Sequence, residues 1–596
     1  MDKKIAKNIP LFLLIIVGFF YRICGLGANH SFWTDENHVA IFARAILERG
    51  APVLANGFHT GTYQWLLYWL GAISARIFGL NEFAIRFPSV IFGVLTIWAV
   101  WLLGRELFVN SVVSPSEESI PAYAEASAGG RPPRRRDLAL PPFEVFVPLV
   151  AAVFITFLRI EILWSRQARP YQALQFFFVL GAWFVYRLTK EEKFNWRYFL
   201  GFLGCGVLAS LFHGLGLVIF FNGFLLLLIT NFKTFKKWLF VALPLLGILG
   251  YSFRVQLLSL LPGFGKINNF FYYRVFLTHN YLPLTLLAGS GGLFLLMKAI
   301  SHSKFILESQ HKKILNPQSS DGAGQVQGLP RIHFGDDGEE PVQSLSQAHF
   351  SNDHTQGYAK LLLFALFLGT QMFIVSFLLG QPFTRYFYPV FPFIILLASY
   401  GLTLMAEITN HKIQKSNKLQ ITKSKNQINW ASVFIFLLLF LLLSRNKFSF
   451  LPHPIYSLNA DMQEIPEVDW KKIYQFVGQK LTENPQAILV TNWNDLPVWY
   501  LGENIESLYI AREKWDQSHE IDPVSGGKMI YSLEDLDKLV KGNLAGMAIF
   551  DSWDNLILKE AGEYAQKNLK KEMEIDRLYP IQPRYWPVNV YSWGME

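Results

Sequence analysis

The chain has 596 residues, of which 52% are hydrophobic and only 17% charged, with a mean hydropathy of +0.25; soluble proteins carry about 25% charged residues. Apolar runs at 11–20, 361–379 and 431–443 approach or reach the roughly 20 residues that cross a bilayer core, so the composition excludes an ordinary soluble protein. Two cysteines, Cys24 and Cys205, both in apolar segments, offer neither a disulfide framework nor a metal cluster, and the net charge of +9 sits in alternate loops rather than on a nucleic-acid surface.

In chain order, membrane spans are predicted at about 9–27, 84–104, 141–160, 173–189, 198–212, 214–231, 238–253, 281–300, 359–380, 387–406 and 430–446. The basic residues then fall in every second loop: Lys3, Lys4 and Lys7 before the first span, Arg134–Arg136 after the second, Lys190 and Arg197 after the fourth, Lys236 and Lys237 after the sixth, Lys312 and Lys313 after the eighth, and Lys412, Lys415 and Lys418 after the tenth. Lysine and arginine concentrate in cytoplasmic loops, so the N-terminus is placed inside. With about 11 spans, the region from 447 onward is placed outside.

The segment 62–80 is apolar too, but counting it as a span would invert every later loop. Trp65, Tyr68, Trp69 and Arg76 along it suit a helix lying in the interface plane. Residues 28–83 are therefore read as an outer loop with interfacial helices. The inserts at 110–140 and 305–357 are rich in Ser, Gly, Pro, Gln and Arg without apolar periodicity, and are expected to be disordered cytoplasmic loops. From 447 to 596 short apolar strands alternate with helices, giving an expected extracytoplasmic α/β domain. Its helices are predicted at 468–482, 533–540 and 555–570, and its strands at 487–490, 547–550 and 588–591.

The outer segments hold the candidate chemistry. Asp35 and Glu36 follow Thr34 just past the first span, and ionisable groups beside a membrane are costly unless they do something. Thr34 suits a helix N-cap, and Asp35 in a first turn would be kept ionised by the helix dipole, fit to act as a general base. Neighbouring helical residues point about 100° apart, so one acid is expected to be the base and the other to hold the loop or a partner. The other reading is an acidic pair that is merely solvated or capping.

Arg166, Arg169 and Tyr171 in Ser165-Arg166-Gln167-Ala168-Arg169-Pro170-Tyr171, and Arg385 beside Tyr386, lie on later outer junctions. A guanidinium fork matches phosphate oxygens; contact with lipid headgroups would explain the same residues. His59 on the first outer loop is a candidate substrate contact or a structural histidine, and His213 at a turn between spans carries less weight. Neither a nucleotide loop nor a serine elbow is present, and no His, Cys and carboxylate pattern has metal spacing.

These residues resemble the membrane glycosyltransferases of the C-type fold, in the branch of the protein O-mannosyltransferases and aminoarabinose transferases. The resemblance covers about 9–406. It rests on Trp33-Thr34-Asp35-Glu36, on Glu82-Phe83-Ala84-Ile85-Arg86-Phe87-Pro88-Ser89, on Leu103-Gly104-Arg105-Glu106-Leu107-Phe108 and on Ser165 to Tyr171. It implies inverting transfer of a sugar from a polyprenyl-phosphate carrier, in the plasma (inner) membrane, with Asp35 as base and Glu36 beside it in the active site. The acceptor would be a hydroxyl on a protein, a glycolipid or a cell-wall polymer. The sequence departs at His59-Thr60-Gly61-Thr62-Tyr63, where relatives carry prolines. No cofactor is called for, although a divalent metal stays open. The alternatives are a transporter or lipid flippase, which would commonly show repeats or broken helices, and an oligosaccharide transferase of the same fold, which tends to need a metal.

Overall fold

The computed structural model describes residues 3–27, 31–32, 34–60, 64–109, 146–191, 193, 195–230, 266–315, 343–416, 440–441, 443–453 and 468–595, apart from gaps at 504, 506, 514–518, 553–557, 559 and 578–586; between 231 and 265 it describes only 244, 247, 250, 251 and 254. Most of the predicted spans at 238–253 and 430–446, and the insert at 110–140, lie outside these residues.

The first half is helical: α1 (Lys3–Ile23), α2 (Thr34–Arg49), α3 (Trp65–Phe78), α4 (Glu82–Gly104), α5 (Val147–Phe157), α6 (Arg159–Ser165), α7 (Tyr171–Lys190), α8 (Trp196–Phe212) and α9 (Leu217–Thr230). Later come α10 (Leu282–Leu315), α11 (Gln343–Phe377) and α12 (Phe391–Ser416), with the one-turn helix Thr384–Phe387 before α12. Among the described residues, four stretches are long and apolar enough to cross a membrane: Glu82–Val109, Leu282–Ile300, Gly357–Phe377 and Thr384–Ala406. Shorter apolar helices run over Asn8–Ile23, Trp65–Phe78, Val147–Phe157, Trp196–Phe212 and Gly214–Thr230.

Local chemistry explains several boundaries. Asn81 caps α4 by accepting the Ala84 N–H at 2.9 Å, satisfying one orphan donor. The expected span at 141–160 breaks at Leu158, whose backbone turns extended (φ −63°, ψ 126°) between α5 and α6. Close helix packing needs glycine at Gly93 and Gly291, among other positions. A Cβ on Gly93 of α4 would lie 2.4 Å from Ser165 Cβ and 2.8 Å from Arg22 Nε, and Gly291 of α10 meets the Leu397 carbonyl of α12 at 2.2 Å from an added Cβ.

The insert at 305–357 departs from expectation. α10 runs on to Leu315 and α11 begins at Gln343, so both flanks are helix rather than loop. Extending a helix already nucleated in the membrane needs no new nucleus, and polar composition alone does not stop it.

The C-terminal domain contains α13 (Trp470–Glu483), β1 (Ile488–Thr491), α14 (Asp495–Leu501), β2 (Leu508–Ala511), β3 (Lys528–Ile530), α15 (Leu533–Gly542), β4 (Gly546–Asp551), α16 (Ala561–Asn568), β5 (Lys570–Ile575) and β6 (Val588–Trp593). The strands order as β3-β2-β1-β4-β6-β5. β3, β2, β1 and β4 are parallel, while β6 is antiparallel to both neighbours. Apolar residues alternate between faces. Leu489, Met547, Ile549 and Val590 pack with Trp470, Ile473 and Leu496 on one side; Val490, Ala548, Phe550 and Tyr591 pack with Leu536, Ala561 and Ala565 on the other. Helices thus cover both faces, as a parallel sheet requires. Strands β2, β3 and β5 and helix α14 escape a sequence reading because each is short or exposed.

The two halves share a core. Val498 and Trp499 of α14 join the apolar cluster of the membrane helices. Arg44 of α2 donates to the carbonyls of Val498 (3.0 Å) and Trp499 (2.8 Å) and lies 4.5 Å over the Trp499 ring. Lys471 N donates to Ser31 Oγ at 2.7 Å, and Arg49 pairs with Glu503 at 2.7 Å.

Candidate active site

The adjacent acids Asp35 and Glu36 occupy the first turn of α2 and meet different surroundings. Glu36 is fully buried. Its two oxygens accept from Arg86 Nε and Nη2, each at 2.9 Å, and Oε1 also accepts the Ala168 N–H at 2.7 Å. Arg86 reaches on to the Ser31 carbonyl at 3.0 Å. One bidentate pair therefore ties together α2, α4, the segment before α2 and the loop 166–170. A charge inside an apolar helix must find such a partner.

Asp35 keeps 51% of its side-chain surface open, although it is densely surrounded. It pairs with Arg169, itself only 2% exposed, and Arg385 Nη1 stands 3.8 Å away. Burial works to raise the Asp35 carboxyl, but the Arg169 and Arg385 charges, with His38, overcome it and hold the group below its ordinary value. His38 is one turn along α2. Burial pushes its imidazole down to about 4 despite the nearby Asp35, so it is neutral at pH 7.

Short α6 ends at Ser165, and the loop to α7 carries both predicted arginines. Arg166 Nη1 donates to the carbonyls of Tyr21 (3.3 Å), Arg22 (3.2 Å) and Cys24 (2.5 Å). These are the orphan acceptors at the end of α1. Arg169, three residues on, turns the other way, to Asp35, with its guanidinium 5.9 Å from the Trp164 ring. Arg385 lies over Phe383 at 3.8 Å and Tyr386 at 5.4 Å.

Tyr171, Tyr386 and His213 form one aromatic group: the His213 ring is 5.5 Å from Tyr171 and 6.2 Å from Tyr386. His213 Nδ1 accepts the Leu215 N–H at 3.1 Å, and burial, helped by Arg385, lowers its imidazole to about 4. Behind them, Glu161 accepts from the Tyr388 hydroxyl at 2.7 Å and from Gln175 at 3.2 Å, fixing α6, α7 and the 384–388 segment relative to one another.

Of the sequence candidates, the structure gathers Asp35, Arg169 and Arg385, with Tyr171 and Tyr386 beside Arg385 or His213. Glu36 and Arg166 point into scaffold contacts. His59 is exposed on the connection between α2 and α3. Three residues at the site were not marked in the sequence or were given little weight. His38 shares a helix face with Asp35 by its spacing of three. Arg86 was a charge within an apolar span and so needed a partner. His213 joins only through folding. Among the described residues, no three His, Cys, Asp or Glu side chains converge as metal donors.

A family model described as dolichyl-phosphate-mannose-protein mannosyltransferase matches residues 65–114. No curated protein matches the chain. Among solved structures, ArnT from Cupriavidus metallidurans bound to undecaprenyl phosphate aligns over 99% of this chain and 98% of its own, at 14% identity and a TM-score of 0.51. Its apo form aligns over 99% and 98%, at 13% identity and 0.48. Archaeoglobus fulgidus oligosaccharyltransferase AglB, in complex with an inhibitory peptide and a dolichol-phosphate, aligns over 92% and 70%, at 14% identity and 0.45. The chain therefore has the fold of the C-type membrane glycosyltransferases, a helical membrane part followed by a C-terminal soluble domain, and its residues 65–114 match the protein mannosyltransferase family.

Proposed function

We propose that this chain is an inverting glycosyltransferase that moves a sugar from a polyprenyl-phosphate carrier to a hydroxyl acceptor on the outer face of the membrane. The observation that carries the reading is the convergence of Arg169 and Arg385 on the half-open Asp35. A carboxylate held ionised between two guanidiniums suits a site that must accept a proton and neutralise a phosphate within one small space.

In this reading the acceptor oxygen attacks the anomeric carbon from the face opposite the phosphate. Asp35 takes the hydroxyl proton, the new glycosidic bond forms, and the bond from carbon to phosphate oxygen breaks. The polyprenyl phosphate leaves with the electron pair, and Arg169 and Arg385 meet the charge growing on it. Preorganised cations of this kind stabilise a transition state without reorganisation, and a positioned base contributes about 10²–10⁴ in rate. Arg166 and Glu36 act one step back, fixing the loop that presents Arg169. Undecaprenyl phosphate on the ArnT neighbour and dolichol-phosphate on the AglB neighbour are consistent with a lipid-phosphate donor here. The sidedness follows the basic loops, with the N-terminus cytoplasmic and the C-terminal domain extracytoplasmic in a multi-pass inner-membrane protein.

The test is Asp35→Asn in reconstituted full-length protein supplied with polyprenyl-phosphoryl sugars. Sugar transfer is expected to fall at least about 10²-fold with the melting temperature close to wild type. Near-normal transfer by this variant would sink the reading.

A further inference from the structure

The parallel part of the C-terminal sheet runs β3-β2-β1-β4. From β1 the chain goes to β2 and β3 on one side, and later to β4 on the other. That is the strand reversal at which open α/β sheets take ligands, outside the carboxyl ends of the strands. In this domain the carboxyl end of β1 leads into α14, and α14 is pinned to α2 through Arg44. The ligand edge of the domain is thus brought to the helix that bears Asp35.

The polar groups at this edge are mostly committed. Asp551 pairs with Arg577 and accepts the Trp493 indole N–H at 3.0 Å. Asn492 and Asp551 exchange hydrogen bonds across the reversal. Asp522 accepts from Asn494 at 2.9 Å and from Ser525 N at 2.7 Å. Asp495 differs. It is only 8% exposed, and its Oδ1 has no hydrogen-bond partner among the described residues. Burial, then the charge of Asp35, raises its carboxyl to about 7. A buried acceptor left unsatisfied is costly and calls for an explanation.

We propose that Asp495 is an acceptor-binding residue: its free oxygen takes a hydrogen bond from a second hydroxyl of a neutral, hydroxyl-rich acceptor whose attacking hydroxyl lies at Asp35. This rests on the glycosyltransferase reading and deepens it. The site divides by charge. Arg169 and Arg385 form the side for the donor phosphate, and Asp35 with Asp495 forms the side for the acceptor.

The experiment uses full-length protein in proteoliposomes with polyprenyl-phosphoryl hexoses as donors and methyl α-mannoside as the neutral acceptor probe. The readout is the partition of transferred sugar between methyl α-mannoside and water. Asp495→Asn is expected to lower that ratio at least tenfold, Asp495→Ser to lower it similarly, and Asp495→Glu to recover part of it. A ratio within twofold of wild type in the Asn and Ser variants, whatever happens to the total rate, overturns the assignment while leaving the glycosyltransferase reading intact. Wild-type protein that releases sugar to neither acceptor overturns both.

Discussion

The membrane part and the C-terminal domain solve burial in opposite ways. In the domain, each sheet face is apolar, and Asn492, Trp493 and Asp551 hydrogen-bond to one another at the ends of β1 and β4. In the membrane part, charged and amide side chains lie inside the helix bundle. Arg22, Glu36, Arg86, Glu161, Arg169 and Gln172 are all nearly or fully buried. Polar groups in such places are retained only with partners or a task. Here most are partnered, and that scaffold leaves one carboxylate half open. In the proposed reading, the membrane part holds Asp35 in a fixed setting, and the domain brings α14 against the helix that bears it.

The sharpest way to break this comparison lies within one dipeptide. Asp35→Asn removes the proposed base, with transfer down at least about 10²-fold. Its stability cost is expected to be smaller than that of Glu36→Ala, because the Asp35 side of the pair is half open to water and an asparagine oxygen can still accept from Arg169. Glu36→Ala strands the Arg86 charge in the bundle and is expected to cost about 3–5 kcal/mol. Thermal unfolding in detergent separates them. Equal stability losses would mean that the two acids do one job.

A second variant sharpens the electrostatic half. Arg385 is among the charges that hold Asp35 below its ordinary value, behind burial, which opposes the shift, and Arg169. Removing it as Arg385→Gln raises the Asp35 carboxyl. A base must be deprotonated to act, so the acid limb of the transfer profile is expected to move to higher pH, alongside a loss of rate from the missing phosphate contact. A residual activity whose acid limb stays where wild type has it would separate Arg385 from Asp35.

Much of this arrangement was legible in the chain itself. The acidic pair was visible because it stands beside an apolar span, and the different surroundings of its members because neighbours on a helix diverge. Arg169 and Arg385 were visible as cations on outer junctions. Arg166 had the same local signal as Arg169, yet it caps α1. Only the path of the folded backbone, which brings residues 21–24 against the loop at 166, tells the two arginines apart. Asp495 was illegible for a related reason: its meaning depends on α14 docking against α2, a contact across more than half the chain. Within the domain, β1, β4 and β6 announced themselves as apolar runs. Strand β5, Lys570–Ile575, did not, because it lies at the sheet edge and carries lysines and glutamates.

A third variant tests whether the domain must be held in place. Arg44→Ala removes two hydrogen bonds to α14 and the stacking on Trp499. With each hydrogen bond to a charged group contributing about 1.5–3 kcal/mol, docking should weaken enough for limited proteolysis to cut near α14 sooner than in wild type. Transfer should fall with it, by less than in Asp35→Asn.

The smallest expected effect supplies the control. Ser532 caps α15 by accepting the Asp535 N–H at 3.1 Å, and α15 covers the sheet face opposite to the one that packs α14. Ser532→Ala is expected to cost about 1 kcal/mol of domain stability and to leave transfer unchanged within twofold. A domain that merely had to be stable would make Ser532→Ala and Arg44→Ala lose transfer in proportion to their stability losses. A domain that works by presenting one edge to α2 makes Arg44→Ala lose transfer out of proportion, because only that variant loosens the edge from the base.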